Sequence, residues 1–244
     1  MISIICPTFN SEKTIQKTLD SIRNQTFKKI ELIIIDGLST DSTVQIIESN
    51  SNIISKYISE KDTGIFDAMN KGLDYVTGEW VYFLGSDDYF HNNNVLENIF
   101  SSEINSETSL IMGNVIYSNH KVFKSYFNWK LFFYCSVHHQ GIIYRHEIFS
   151  SYRYITKNYY PSDYDLNLGL YKSKHKFQYF NEPIAVYALE GESSNVIWSR
   201  YKNEITTRKK HIDSIILRIF LDAQTCFRFF VKTLLLKFNY KIHI

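Results

Sequence analysis

The sequence predicts an α/β fold, in which a mostly parallel central sheet is flanked by helices and followed by a C-terminal helical extension. Short apolar runs end at polar clusters, and the stretches between them carry apolar residues at helical spacing. From about Ser199 the chain becomes basic and keeps a helical period. Alternating strands and helices imply a parallel sheet with right-handed crossovers, so the strand ends should share one edge.

Length and composition fit a globular protein of 244 residues with net charge +2. We expect a catalytic domain over 1–195 and a basic amphipathic extension over 196–244. The small net charge does not indicate a nucleic-acid partner. Cys6, Cys135 and Cys226 are scattered and odd in number, which favours the reducing cytosol over a disulfide framework. We expect no signal peptide, and no uncharged run reaches the roughly 18 residues of a membrane span.

The first strand is predicted over Ile2 to Cys6, with Pro7 outside it because proline interrupts a sheet ladder. A helix capped by Asn10 or Ser11 should then run to about Asn24. Later strands are predicted at Ile30 to Ile35, Ile53 to Ser59, Trp80 to Leu84, Leu110 to Tyr117, Ile142 to Tyr144, Phe177 to Phe180 and Ile184 to Tyr187. Later helices are predicted before Asn50, around Ile65 to Leu73, over Asn94 to Phe100, and from an N-cap at Ser162 or Asp163.

The carboxylates after the fourth strand are the first candidate site. Asp87 and Asp88 follow a buried run, at the place where ligands bind in open α/β sheets. Hard oxygen ligands on a loop suit Mg²⁺ or Mn²⁺, although an Asp-Asp pair also serves as a simple turn. The first three strands also end in polar clusters, which favours a site over isolated turns. The His138-His139 pair needs no metal and is more typical of a structural hydrogen bond.

The sequence pattern of the extension predicts a helix with Phe, Leu and Ile on one side. The charged residues Arg218, Asp222, Arg228 and Lys232 fall on the other side. Such a stripe can lie in a membrane interface. It can equally pack on the protein or on a second subunit. Both alternatives stay open at this point.

Several motifs, taken in order, resemble those of the family 2 inverting glycosyltransferases, which have the nucleotide-sugar-binding GT-A fold. The resemblance covers roughly Ile2 to Lys210. Its motifs are Pro7-Thr8-Phe9-Asn10, Asp36-Gly37-Leu38-Ser39-Thr40-Asp41, Glu60 to Gly72, Ser86-Asp87-Asp88, Ser162-Asp163-Tyr164-Asp165-Leu166 and Glu190-Gly191-Glu192-Ser193-Ser194. Three positions depart from the family's motifs. Ser86 replaces the first Asp of the DXD-type metal motif, and the Glu that precedes Asp163 in the family's Glu-Asp motif is absent. Glu190 replaces the first Gly of a Gly-Gly-x-Ser loop.

The resemblance implies a role for each matching residue. Asp163 would be the catalytic base, with Asp165 as its rival, and Asp88 would bind Mn²⁺ or Mg²⁺. The residues implied to bind the donor are Pro7, Thr8, Asn10, Asp36, Ser39, Asp62, Asn70, Lys71, Ser86 and Asp87. For Asn70 and Lys71 a solvated helix face is the alternative, since both lie on an unusually polar helix.

The implied reaction transfers a hexose from a UDP-sugar, glucose or galactose by resemblance to O-antigen enzymes, with inversion at the anomeric carbon. The basic amphipathic tail suggests an acceptor held at a membrane, such as a lipid-diphosphate-linked sugar. This fits O-antigen, lipopolysaccharide or other surface-polysaccharide synthesis. The enzyme would sit peripherally on the inner face of the bacterial inner membrane, and a homodimer stays open. Two other classes remain: a nucleotidyltransferase, which should carry a Gly-rich loop near the first strand, and a non-catalytic sugar-binding protein.

Overall fold

The computed structural model describes residues 1–156, 161–189 and 198–237. Its strands are β1 (Ile2–Thr8), β2 (Ile30–Asp36), β3 (Lys56–Ser59), β4 (Trp80–Phe83), β5 (Tyr89–Phe90), β6 (Thr108–Tyr117), β7 (Val122–Phe123), β8 (Ile142–Arg145) and β9 (Lys176–Tyr187). Its α-helices are α1 (Ile15–Arg23), α2 (Thr43–Ser49), α3 (Ile65–Leu73), α4 (Val95–Ser101), α5 (Ser162–Lys172), α6 (Trp198–His211) and α7 (Ile215–Lys237).

All nine strands belong to one sheet, in the order β3-β2-β1-β4-β8-β6-β9-β5, with β7 paired to β6. The first four strands in this order are parallel, as expected for strands joined through helices. Beyond β4 the sheet is mixed, because β8 is antiparallel to both β4 and β6 while β9 runs parallel to β6. The α/β architecture is therefore confirmed, and an uninterrupted parallel arrangement is confined to the first four strands.

Apolar side chains on both faces bury the sheet. Alternate residues of a strand point to opposite faces, so neighbouring positions of β1 belong to different cores. Ile4 packs in the core that includes Leu19 of α1, whereas Ile5 packs in the core that includes Met69 of α3. Gly72 lets α3 approach closely, since a Cβ there would lie 2.5 Å from Cγ2 of Ile5.

The parallel strands end together at one edge, as predicted. Thr8 of β1 is in register with Asp36 of β2, which is in register with Ser59 of β3. β4 ends at Phe83, where the N–H of Leu84 donates to the carbonyl of Ile5. The loops after these strands therefore form a common rim, which we call the carboxyl rim.

Two predictions at the start of the chain are wrong. Pro7 lies inside β1, opposite Ile35, and it is tolerated because the pairing of β1 with β4 has already ended at Ile5. Neither Asn10 nor Ser11 caps α1, which begins only at Ile15 after a turn in which Thr14 N–H donates to the Ser11 carbonyl.

Other boundaries differ for local reasons. The third strand begins at Lys56 because residues 51–53 form a 3-10 turn. Residues 176–187 form one irregular strand rather than two, with register shifts opposite Gly113. Pro161 precedes the first residue of α5, so Ser162 is not its N-cap, and the Ser162 hydroxyl instead accepts a hydrogen bond from Ile155 N–H.

The described residues of the extension, 198–237, form two helices that pack on the preceding part of the chain. α6 lies against α5, where His211 Nε2 is 2.7 Å from Asp165 Oδ1, and α7 packs along α6. No helix among the residues described has the length and apolar character needed to cross a bilayer.

Candidate active site

Hydrogen bonds join the loops after β1 and β2 at the carboxyl rim. Asn10 adopts a left-handed conformation with φ 46°, and its N–H donates to Ser39 Oγ at 2.8 Å. Its side-chain carbonyl accepts from Thr40 N–H at 2.9 Å. Asparagine is one of the few residues that tolerate this conformation, so Asn10 fixes how the two loops meet.

Asp36 lies at the base of the rim and is fully buried. Its carboxylate accepts hydrogen bonds from the N–H and hydroxyl of Ser39 and from the hydroxyl of Ser59, the last at 2.6 Å. Thr8 and Pro7 are buried beside it at the end of β1. Asp36 therefore holds the β2 loop in shape through the hydroxyl groups of two other rim residues.

Three loops meet closely at Gly37. A Cβ at this position would lie 2.6 Å from Oδ2 of Asp62 and 3.3 Å from the ring of Phe9. The Phe9 side chain is mostly exposed, and Asp62 Oδ1 accepts from Gly64 N–H at 2.9 Å. The absence of a side chain at Gly37 thus brings an exposed aromatic ring and a carboxylate together.

Lys71 and Asn70 support the rim from α3. Lys71 Nζ donates to the Lys61 carbonyl and pairs with Glu60, both at 2.8 Å, which holds the loop that carries Asp62. Both polar groups of the Asn70 side chain hydrogen-bond the backbone of Tyr154 at 2.8 Å. In this structure both side chains position neighbouring loops.

The Ser86-Asp87-Asp88 loop is tied to the β1 side of the rim. Ser86 Oγ lies 2.7 Å from Ser11 Oγ, and Thr18 Oγ1 lies 2.7 Å from the carbonyl of Asp88. Both carboxylates turn towards Gly85, where a Cβ would lie 2.9 Å from Asp87 Oδ1 and 2.9 Å from Asp88 Oδ2. Two acidic oxygens therefore converge on one point of the rim.

Asp88 is the most unusual carboxylate of this loop. It is 1% exposed, Oδ1 accepts from Ala188 N–H at 2.9 Å, and Oδ2 is buried without a hydrogen-bond partner. Burial raises the pKa of Asp88 well above its usual value and the charge of Asp87 adds to this effect, while Ala188 N–H and the Gln140 side chain lower it. Burial also raises the pKa of Asp87.

This environment fits a hard divalent cation. An unpartnered buried carboxylate oxygen is costly, and a nearby positive charge would favour its ionised form. No group of three His, Cys, Asp or Glu side chains suited to a metal occurs within the described ranges. Mg²⁺ usually binds through one or two carboxylates together with substrate phosphates and water, which is compatible with two acidic residues.

The two carboxylates near the start of α5 occupy different environments. Asp165 Oδ1 is 2.7 Å from His211 Nε2, and Asp165 Oδ2 is 3.6 Å from Lys210 Nζ, so Asp165 faces α6. The charge of Asp163 instead raises the pKa of the buried Tyr144, where burial is the larger cause, and acts in the same direction on Tyr154. The structure thus separates the two candidate bases.

The His138-His139-Gln140 turn packs on β4, where the Tyr82 hydroxyl donates to the Gln140 carbonyl at 2.8 Å. The ring of His139 stacks on Phe83 with centroids 5.3 Å apart, and neither ring nitrogen has a hydrogen-bond partner. Burial lowers the pKa of His139, and the nearby charge of Asp163 offsets part of that change. Asp88 and Asp163 therefore each interact with one of two adjacent residues, Gln140 and His139.

The sequence therefore predicted much of this rim, and the structure adds residues that it missed. Ser11, Thr18, Ser59, Gly85 and Gln140 hold or flank the predicted carboxylates. In the sequence, only their position close to the predicted strand ends could have indicated these residues. Glu190 and the rest of its motif, together with the boundary expected near residue 195, lie outside the described residues.

Comparison with known proteins identifies the family. The family model described as Glycosyl transferase family 2 matches residues 3–168. A PGL/p-HBAD biosynthesis glycosyltransferase of Mycobacterium bovis is 33% identical over 210 residues, covering 81% of this chain and 80% of that protein. The poly(ribitol-phosphate) beta-N-acetylglucosaminyltransferase TarS of Staphylococcus aureus is 36% identical over 115 residues, which are 45% of this chain and 20% of TarS.

Solved structures share the fold. A crystal structure of S. aureus TarS in complex with UDP-GlcNAc superposes with a TM-score of 0.72 at 20% identity, covering 92% of this chain and 71% of that one. The mannosyltransferase PcManGT of Pyrobaculum calidifontis, in complex with GDP-Man and Mn²⁺, superposes with a TM-score of 0.68 at 14% identity, covering 92% and 72%. These likenesses confirm the GT-A fold expected from the sequence. The chain is a glycosyltransferase and belongs to glycosyl transferase family 2.

Proposed function

We propose that this glycosyltransferase moves a hexose from a UDP-sugar to a hydroxyl of a lipid-diphosphate-linked sugar, with inversion, in the synthesis of a bacterial surface polysaccharide. The observation that carries the proposal is the buried, unpartnered Oδ2 of Asp88 beside Asp87, at the rim where four parallel strands end. Ligands of open α/β sheets bind outside the carboxyl ends of the strands. A carboxylate kept without a partner there is suited to a cation and a diphosphate.

The donor nucleotide would lie against the surface around Gly37. Phe9 offers an exposed ring against which a base can stack, while Asp62 and Asn10 supply polar groups on either side. Ser39 and Asp36 would complete the site with Pro7 and Thr8 beneath them, and Ser86 and Asp87 would face the ribose and sugar. The complex of S. aureus TarS with UDP-GlcNAc supports a uridine nucleotide, and we assign Asn70 and Lys71 to holding the loops.

Asp88 would hold Mn²⁺ or Mg²⁺, and its buried free oxygen supports this role. When bound, such an ion acts as a Lewis acid that neutralises charge growing on the leaving diphosphate. Asp87 lies beside this position and contributes a second negative charge. The complex of PcManGT with GDP-Man and Mn²⁺ is a relevant precedent from the same fold.

Asp163 would act as the base. Its carboxylate takes the proton of the acceptor hydroxyl while that oxygen attacks the anomeric carbon from the face opposite the nucleotide. The bond between the anomeric carbon and the diphosphate oxygen breaks, UDP leaves with the electron pair, and the configuration inverts. Asp165 is unsuited to this role because His211 and Lys210 already engage its carboxylate.

A matched pair of substitutions tests the base. Asp163→Asn should lower turnover by about 10²–10⁴-fold, since a positioned base typically contributes that much. Asp163→Asn should leave UDP affinity unchanged, because Asp163 is not among the residues around Gly37 that we assign to the nucleotide. Asp165→Asn should keep most turnover per folded molecule. Near-normal turnover in Asp163→Asn, or a larger loss in Asp165→Asn, would show that the base is assigned wrongly.

The sugar and acceptor are tested by a screen. UDP-glucose and UDP-galactose are our preferred donors, and UDP-GlcNAc belongs in the screen because TarS was crystallised with it. Each donor is incubated with Mn²⁺ and a synthetic lipid-diphosphate N-acetylhexosamine, and the product's anomeric configuration is read by NMR. Transfer only to a soluble sugar, or retention of configuration, would contradict the proposal.

A further inference from the structure

Helix α7 packs on the protein through its charged side. Arg218 Nε donates to the Ile212 carbonyl at 2.6 Å, and Asp222 pairs with Lys209 at 3.3 Å. Arg228 donates to the Phe133 carbonyl at 3.1 Å and also binds Glu204. Leu221, which is 1% exposed, and Phe229, whose ring centroid lies 5.0 Å from that of Trp198, also face inward. The charged side of α7 is therefore turned towards the protein together with a few apolar residues, while most of its apolar side points away from the core.

The apolar side of α7, which we call the outward face, is exposed along most of the helix. Exposed fractions reach 84% at Ile216, 69% at Ile215 and 68% at Phe227. None of the outward-facing positions described in α7 carries a charge. The outward face comprises Ile215, Ile216, Ile219, Phe220, Ala223, Cys226, Phe227, Phe230 and Leu234. A contiguous apolar surface of this extent marks a contact with a protein or a membrane.

Charge distribution favours an anionic partner. Residues 196–244 contain 10 Lys and Arg against 3 Asp and Glu, a net charge of +7. Residues 1–195 contain 17 against 22, a net charge of −5, and the two segments add to the +2 of the whole chain. The exposed apolar face thus belongs to a strongly basic segment.

A second copy of this chain is the less favourable occupant. A two-fold dimer through the outward face would place the same patch of both subunits together, so two segments of +7 would meet. Like charges facing each other oppose association. An anionic lipid surface instead attracts basic segments and also accepts the apolar side chains.

We propose that the outward face of α7 lies in the interface of an anionic phospholipid bilayer, parallel to its surface. α7 has 23 residues and is therefore about 34 Å long, and the polar contacts of Arg218, Asp222 and Arg228 hold the remaining molecule against it. This inference deepens the proposed function, because it brings the carboxyl rim's domain to the surface where a lipid-linked acceptor resides. Membrane binding itself does not require the proposed reaction.

Vesicle flotation of the full-length protein tests the inference without any activity measurement. Vesicles containing phosphatidylglycerol are compared with vesicles of phosphatidylcholine alone, at low and high salt. We expect recovery with the anionic vesicles and a decrease in high salt, because salt screens the basic segment. The triple variant Phe220→Gln, Phe227→Gln, Phe230→Gln should reduce the partition coefficient roughly tenfold or more, since each exposed phenylalanine loses its apolar transfer.

Phe177→Gln is the matched control, because Phe177 is 44% exposed but lies on β9. It should float like the wild-type protein, and circular dichroism should show that all variants keep their helix content. Sedimentation velocity tests the alternative occupant, a second copy of this chain, because it measures whether the protein is a dimer. The proposal would be overturned if the wild-type protein did not float, or if the triple variant floated equally well. It would also be overturned if the wild-type protein were a dimer and only the triple variant a monomer. Loss of transfer activity with intact flotation would count against the proposed function instead.

Discussion

Asp88→Asn is expected to stabilise the metal-free protein while removing its response to divalent ions. Asp88 is 1% exposed, and its Oδ2 has no hydrogen-bond partner while Asp87 points at the same position. Asparagine keeps an oxygen for the Ala188 N–H and removes the negative charge. The substitution therefore relieves an unfavourable interaction that a bound cation or a proton would otherwise relieve.

The magnitude follows from the burial of this group. A buried unsatisfied polar group costs about 1–3 kcal/mol, and more when it is charged. The new amide N–H₂ also needs a partner, so we expect a net gain of about 1–2 kcal/mol in the free energy of unfolding. For a chain of this size, that gain corresponds to a rise in Tm of about 2–8 °C.

The pH dependence has a defined sign. Because the pKa of Asp88 is raised in the folded state from its ordinary 3.8, the folded protein binds more protons than the unfolded chain between the two pKa values. The contribution of Asp88 to stability is therefore complete below pH 3.8 and is lost as the pH rises. The free energy of unfolding of Asp88→Asn should therefore exceed that of the wild type by an increasing amount as the pH rises.

Thermal unfolding followed by circular dichroism is the assay, first in EDTA and then with Mn²⁺ and UDP. A ligand at about 100 times its Kd stabilises the folded state by about 2.7 kcal/mol, so the wild type should gain and Asp88→Asn should not. Asp165→Asn is the control, because it breaks contacts with His211 and Lys210 and should destabilise by about 1–3 kcal/mol while keeping the response to Mn²⁺. A lower Tm of Asp88→Asn in EDTA, or an undiminished response to Mn²⁺, would refute the reasoning.

Four further predictions concern other parts of the molecule. Gly72→Ala should lower the free energy of unfolding in urea by about 1–3 kcal/mol, because its Cβ would lie 2.5 Å from Ile5; an unchanged midpoint would contradict this close packing. Gly37→Ala should weaken UDP binding in calorimetry, since it displaces the side chain of Asp62, and unchanged affinity would exclude the surface around Gly37 from the donor site. Arg208→Met should destabilise the protein by roughly 3 kcal/mol, because the buried guanidinium joins α6 to α7; a smaller loss would argue for a weak attachment. Burial lowers the pKa of His138 from 6.5 to about 3, so its contribution to stability is present above pH 6.5 and is lost on acidification by up to about 1.4 kcal/mol per pH unit. His138→Gln should flatten this loss in urea titrations, and an unchanged slope would contradict it.

The edge of the sheet where the site lies was predictable from the sequence. Apolar runs such as Ile30 to Ile35 have the length and β-branched content of buried strands, and helical periods separate them. Connections of this kind are right-handed and place the carboxyl ends together, so Asp36 and Asp88 could be assigned to one rim. The register of β1, β2 and β3 places Asp36 at this edge, and β4, which Asp88 follows, pairs in parallel with β1.

Predictions from local propensity placed several strand and helix boundaries wrongly, because they do not include contacts with residues far away in the sequence. Pro7 is usually excluded from a central strand, yet the neighbouring strand has already ended beside it. Asn10 is a good helix cap, yet its side chain binds Thr40, which lies 30 residues later. Both outcomes depend on contacts that no short window contains.

What the sequence determined by itself is the alternation of strands and helices, the rim that follows from it, and the two faces of α7. Only the tertiary structure decided which of the neighbouring Asp163 and Asp165 is engaged by α6, because His211 contacts Asp165 from 46 residues away. It also decided which face of α7 turns inward. Periodicity separates apolar from charged positions, but backbone carbonyls and Glu204 on the underlying surface select the charged side and leave the apolar side exposed.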